Sequence, residues 1–120
     1  MKFTESHEWV KVEGEQGTIG ITQHAQRELG EIVYVELPEV GTVIKAGEEA
    51  AVLESTKAAA DVYSPITGKV IEVNESLSDA SEKVNFSPEQ EGWIFKVELM
   101  NPKELDALMD SGAYKALIAQ

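Results

Sequence analysis

Among the side chains of this 120-residue chain that could do chemistry, Lys57 has the most distinctive surroundings. It stands alone among Ser55, Thr56, Ala58, Ala59 and Ala60, whose small side chains leave an acylating enzyme room to grip the amine. An ordinary lysine amine, with a pKa of about 10.4, is protonated at neutral pH and does not acylate itself. A separate enzyme presenting an activated acyl group would have to attach any cofactor. On spacing alone two readings stand side by side, a modification site and an ordinary turn lysine. The remaining reactive inventory is thin. No cysteine is present, which removes disulfides, a thiolate nucleophile and zinc–thiolate sites together. His7-Glu8 lacks the second histidine of an H-E-x-x-H helix and precedes a strand, and His24 reads as a surface histidine of a short helix. There is no G-x-S-x-G, and Gly14, Gly17 and Gly20 form neither a phosphate-cradling loop nor a dinucleotide fingerprint. No metal site and no catalytic constellation is expected.

The elements that must position Lys57 are short and β-rich. Residues 50–53 and 60–63 read as paired strands, with Lys57 near the tip of the hairpin between them. The three alanines favour a helix, but the run is short, Val62 and Tyr63 prefer strands, and Pro65 would stop a helix promptly. On either side lies a repeat: Pro38-Glu39-Val40-Gly41-Thr42-Val43-Ile44 and Pro65-Ile66-Thr67-Gly68-Lys69-Val70-Ile71 share P-x-x-G-x-V-I. Gly47 and Asn74 then match, as residues that accept a left-handed turn. This predicts two similar hairpin units packed face to face about an approximate twofold, chance likeness of two common turn-strand units being the alternative.

Upstream, residues 9–12 and 18–21 flank a polar connection at 13–17 suited to a hairpin. Thr22 can cap a short helix over residues 22–29, with Ala25 and Leu29 on one face and Gly30 ending it. Residues 32–37 are near-continuously apolar up to Pro38, the pattern of a central strand buried on both faces. Downstream, residues 76–92 read as a long surface loop with one helical turn. Trp93 to Leu99 alternate as a half-buried strand. Asn101, Pro102 and Glu104 mark a helix start that carries Leu105, Leu108 and Met109 inward, Gly112 interrupts it, and a last turn buries Tyr114, Leu117 and Ile118.

Composition narrows the function classes. Ten Lys and Arg against 22 Asp and Glu leave a formal charge of −12, which repels phosphate backbones and anionic lipid, so no nucleic acid is expected as partner. The acidity serves solubility, docking onto basic partner surfaces, or both. No apolar stretch approaches the ~20 residues that span a bilayer. The first residues resemble neither a secretory signal nor a transit peptide, so a cytoplasmic address is expected.

These residues also carry a resemblance. Ser6-His7-Glu8-Trp9-Val10, Gly20-Ile21-Thr22 with Ala25-Gln26, Leu29-Gly30-Glu31-Ile32-Val33, Val35-Glu36-Leu37-Pro38, Glu54-Ser55-Thr56-Lys57-Ala58, Asp61-Val62-Tyr63-Ser64-Pro65 and Gly92-Trp93 resemble the H proteins of the glycine cleavage system over nearly the whole chain. The resemblance implies one lipoyl-carrier domain over residues 1–120, with a lipoyl-bearing core at about 17–99 and a helical segment at about 101–119. It implies a mainly β barrel-sandwich hybrid of the biotinyl/lipoyl-carrier kind and a lipoate in amide linkage on Lys57, with Glu54, Ser55, Thr56 and Ala58 forming the recognised tip. It also implies a monomeric carrier, not an enzyme. Its arm accepts an aminomethyl group from glycine at a pyridoxal-phosphate glycine decarboxylase, delivers it to an aminomethyltransferase, and is reoxidised by dihydrolipoyl dehydrogenase. A lipoate ligase or a lipoyl/octanoyl transferase would load it. The loaded arm is cationic and hydrolytically labile, and Ser6, Glu8 and Asp61 are the candidates for the cleft that shelters it, Glu8 and Asp61 otherwise serving as turn caps.

Two departures stand out. Pro88-Glu89-Gln90-Glu91 replaces the family's usual Pro-Tyr, losing an aromatic and adding charge, and Thr56 replaces a frequent valine. The alternatives are an H-like lipoyl or octanoyl relay in lipoate assembly, using the same Lys57, and a biotinyl carrier, whose lysine usually sits between methionines. A lipoyl domain of a 2-oxoacid dehydrogenase would show Asp-Lys at the tip and a flexible linker, and neither is present.

Overall fold

Strand pairing follows the short β-prone runs closely. A computed structural model describes residues 1–119. Two sheets form: a six-stranded one in the order β1-β2-β3-β9-β8-β5, and a three-stranded one in the order β4-β6-β7. The larger contains β1 (Lys2–Phe3), β2 (Glu8–Glu13), β3 (Gln16–Ile21), β5 (Val43–Ile44), β8 (Gly68–Val73) and β9 (Phe95–Leu99). The smaller contains β4 (Ile32–Glu36), β6 (Glu49–Ser55) and β7 (Ala59–Tyr63). The β2–β3 hairpin is tighter than its polar connection suggested, because Glu13 already faces Gln16 and Gly14, at φ +63, makes the left-handed turn.

Helix α1 (Gln23–Leu29) begins and ends where its signals lie. The Thr22 hydroxyl accepts from the Ala25 N–H at 3.2 Å, and Gly30, at φ 82 and ψ −152, returns its N–H to the Gln26 carbonyl. The core is one apolar cluster between the sheets, including Ile19, Leu53, Ile66, Val70, Phe95 and Val97. A second cluster joins Phe3, Trp9 and Tyr114 beneath helix α3 (Ser111–Ile118).

Five expectations change. First, β4 is an edge strand with Val33 and Tyr34 each 53% exposed, because a register shift between Ile32 and Tyr34 leaves only Ile32 and Val35 inward. Second, the repeated units meet strand beside strand in one sheet, with Val43 opposite Lys69 and Ile44 opposite Gly68, rather than stacked face to face. Third, Asn74 does not match Gly47 in backbone: Gly47 has φ +87 and Asn74 φ −82. The Asn74 amide instead donates to the carbonyls of Glu91 and Trp93, at 2.9 and 2.7 Å, and ties the following segment down.

Fourth, residues 76–92 are not a surface loop. A 3-10 turn (Glu75–Ser78) and a short helix, α2 (Lys83–Phe86), plug Leu77 and Val84 fully into the core. Isolated apolar residues in a polar stretch show no period, so burial there depends on the partner surface. Fifth, residues Pro102–Ala107 form a 3-10 helix without a side-chain cap from Asn101. Glu104, which would have closed a capping box, instead accepts from the Thr67 N–H and hydroxyl, both at 2.7 Å. Gly112 lies within α3 rather than interrupting a helix, and Asp110 provides the N-cap.

Candidate functional site

The β6–β7 hairpin closes on a two-residue tip. Glu54 faces Ala59, and the Ser55 N–H reaches the Ala58 carbonyl at 2.8 Å, which leaves Thr56 and Lys57 at the end. Ser55 shapes this turn with its side chain, since its Oγ accepts from the N–H groups of both Lys57 and Ala58 at 3.1 Å. The tip is also pinned from the side, where the Thr56 N–H donates to the Glu31 carbonyl at 3.0 Å. Thr56, Lys57, Ala58 and Ala59 are all exposed, as is Glu54, which lies across from Tyr34 on β4. The lysine stem runs over Gly30: a Cβ there would lie 3.4 Å from Lys57 Cε and 3.7 Å from Nζ. Gly30 is required by its backbone, which adopts a conformation almost confined to glycine, and the stem passes it at ordinary van der Waals distance.

A cleft of about 250 Å³ opens between α1, the start of β2 and the edge strand β7. It begins at Leu29, next to Gly30, and brings together all three predicted cleft residues, Ser6, Glu8 and Asp61. Its walls are apolar where Leu29, Leu53 and Val62 face it. Glu8 is only 2% exposed. One of its oxygens accepts from the hydroxyls of Thr4 and Ser6, both at 2.6 Å, and the other from the Tyr63 N–H at 3.3 Å on the free edge of β7. Burial pushes the Glu8 carboxyl above its ordinary range, and these hydrogen bonds partly offset that. Asp61 is exposed at the cleft mouth. Glu8 is thus committed to holding β2 against β7, while the Asp61 carboxylate is open to a cationic group.

Several cleft residues escaped sequence reasoning. Glu28 lines it, and its carboxylate meets His24 Nε2 at 2.7 Å. His24 is therefore more than a surface histidine, because its ring also packs 4.6 Å from that of His7. The i, i+4 spacing of His24 and Glu28 was a legible signal for that pair. His7 lines the cleft too, with Nδ1 2.8 Å from the Tyr114 hydroxyl of α3. Burial, and next the neighbouring His24, hold His7 below its ordinary pKa, with Glu28 acting in the opposite direction. Nothing local in the sequence marks a contact between residues 107 positions apart.

The loop that departs from the resembled pattern has a defined role. The Glu89 carboxylate accepts from the Gln23 N–H at 2.9 Å, at the first turn of α1, and the Pro88 carbonyl accepts from the Trp9 indole at 3.1 Å. The added charge thus satisfies a helix-start donor.

The residues present fit a flexible acyl arm on Lys57. The amine is exposed between small residues, its stem lies beside Gly30, and an apolar-walled, carboxylate-lined cleft adjoins it. The model of the family described as "Glycine cleavage H-protein" matches residues 1–120. Curated relatives named "Glycine cleavage system H protein" include one from Phenylobacterium zucineum, 56% identical over 119 residues, covering 99% of this chain and 98% of the relative. Another, from Thermotoga maritima, is 53% identical over 119 residues, covering 99% and 96%. A crystal structure of a glycine cleavage system H protein from Mycobacterium marinum superposes with a TM-score of 0.90 at 30% identity, covering 99% of this chain and 96% of that one. The expected mainly β barrel-sandwich hybrid is thereby borne out.

Proposed function

Because the chain belongs to the glycine cleavage H-protein family, we propose that Lys57 is the residue bearing its lipoyl group and that the adjoining cleft shelters the arm. The chain is a non-catalytic lipoyl carrier that takes the aminomethyl group of glycine from the decarboxylase to the aminomethyltransferase and is then reoxidised by dihydrolipoyl dehydrogenase. Lipoate, when bound, supplies a dithiolane whose sulfur takes up and gives back the carried group. The chain's own residues anchor, orient and shield.

The observation that carries this reading is the exposed amine on a two-residue turn pinned at both Ser55 and Glu31, beside a carboxylate-lined cleft. A pinned turn presents Nζ at one place to each partner, and the flexible stem beyond it gives the arm reach and a high effective concentration at a docked active site. Glu54, Ser55, Thr56 and Ala58 surround the amine and form the surface read by the enzyme that loads it, a lipoate ligase or a lipoyl/octanoyl transferase. Leu29, Leu53 and Val62 exclude water from the cleft, and Asp61 accepts a hydrogen bond from an ammonium brought there. We read the chain as one carrier domain, monomeric and cytoplasmic. Nothing in the site favours the lipoate-relay or biotinyl alternatives.

Co-expression with a lipoate ligase tests the attachment. Intact mass should rise by one lipoyl group, and Lys57→Arg should abolish the gain while the circular dichroism spectrum stays unchanged. A Lys57→Arg chain that still gains the mass would refute it. Glycine–bicarbonate exchange by the decarboxylase should then depend on the loaded chain.

A further inference from the structure

We propose that His7 is a positioning residue of the arm cleft, whose Nε2–H hydrogen-bonds an acceptor atom of the bound arm. The inference rests on the reading that the cleft receives that arm. It starts from a backbone outlier. His7, at φ 72, is the one non-glycine residue at positive φ among the described residues. That conformation costs an L-residue about 1–2 kcal/mol and persists where surrounding contacts over-determine it. Here the His7 N–H donates to the Thr4 carbonyl at 3.2 Å, and the His7 carbonyl accepts from the Thr22 N–H at 3.0 Å. The ring is held as firmly, lying edge-on to Tyr114 and tilted against His24.

A chain of hydroxyls behind the ring sets its tautomer. Thr22 Oγ1 accepts from the Ala25 N–H, and Thr22 is fully buried, so its own proton needs an acceptor. The Tyr114 hydroxyl oxygen, 2.6 Å away, is the acceptor in reach. Tyr114 then gives its proton to His7 Nδ1 at 2.8 Å, which leaves the imidazole proton on Nε2. Reversing the chain would leave the buried Thr22 proton unpaired. Nε2 has no partner among the described residues, and His7 lines the cleft. The other polar side chains there are the carboxylates of Glu8, Glu28 and Asp61, which only accept, and Ser6, whose proton goes to Glu8. His7 is therefore the cleft's uncommitted side-chain donor, and α3 contributes to the site through Tyr114.

A lipoyl arm on lysine offers hydrogen-bond acceptors in two places, its amide oxygen and, more weakly, its ring sulfurs. The test compares amide shifts of residues 29 and 60–62 by 15N NMR in three forms of the chain: unmodified, octanoylated and lipoylated at Lys57. The octanoyl arm has the amide and lacks sulfur. Each form is prepared as wild type, His7→Asn and His7→Gly. Asparagine tolerates positive φ and can set its Oδ1 near the Nδ1 position to accept from Tyr114, and glycine relieves the backbone altogether, so both keep the fold while losing Nε2.

Lipoylation should shift the cleft amides of the wild type and shift those of both variants by less than half as much. Equal shifts with octanoyl and lipoyl arms would place the contact at the amide, and shifts with lipoyl alone at the sulfurs. Wild-type shifts matched in full by the folded variants would overturn the role of His7 and leave the cleft reading intact. A wild-type cleft that does not respond to either arm would overturn the cleft reading itself.

Discussion

Asn85 joins three elements at the base of the lysine tip, and removing its side chain should show how far the site depends on α2. Its Oδ1 accepts from the Ile32 N–H at 2.9 Å, and its Nδ2 donates to Gln26 Oε1 at 3.0 Å and to the Gly30 carbonyl at 2.8 Å. Asn85→Ala deletes all three and leaves the N–H of buried Ile32 without its partner. At about 0.5–1.5 kcal/mol net for each bond, with orphaned groups toward the top of that range, we expect a loss of about 2–4 kcal/mol. Unfolding entropy of about 2.1 cal/mol/K per residue over 120 residues converts this into a fall in Tm of roughly 8–16 °C. Urea and thermal melts followed by far-UV circular dichroism on the unmodified chain measure it. Phe86→Ala is the control: Phe86 is next in sequence but 83% exposed, so the change should stay within about 0.5 kcal/mol. A loss below about 1 kcal/mol in Asn85→Ala would refute the claim that this amide holds the α1–β4 junction.

Gly30→Ala should cost about 1–3 kcal/mol, because φ 82 with ψ −152 is nearly closed to other residues, while ligase loading of the folded variant should keep its rate, since the added Cβ meets the Lys57 stem only at ordinary van der Waals distance. Melting and the rate of mass gain check the two effects separately. The pH dependence of stability should have opposite signs at neighbouring residues. The Glu8 carboxyl is raised by burial, so its contribution is fully present below about pH 4.5 and is lost as pH rises through the raised value. The stability of wild type minus that of Glu8→Gln should accordingly grow as pH falls from 7 to below 4.5. His7 is lowered by burial, and its contribution is present above about pH 6.5 and lost as pH falls through the lowered value. His7→Asn should flatten the profile on the acid side of 6.5, and an unchanged slope there would count against a buried neutral imidazole.

What was legible in the amino-acid order were the features governed by near neighbours. The Thr22 cap, the Gly30 stop and the Lys57 turn are each decided within a few residues, by a side chain reaching an adjacent N–H or by a backbone angle that few residues accept. The resemblance added Ser6, Glu8 and Asp61, which the fold brings to one cleft. What remained hidden depended on distant surfaces. Whether Leu77 and Val84 are buried is decided by the space between two sheets, and whether residues 32–36 lie centrally by a bulge and by what packs outside them. Glu104 left its expected capping role because Thr67 offered two donors, and Asn74 became a clamp rather than a turn because two carbonyls lay in reach. The tautomer of His7 is set by hydroxyls 15 and 107 positions away. Hydrogen bonds and burial act over ångströms, and only the folded chain decides which residues come that close.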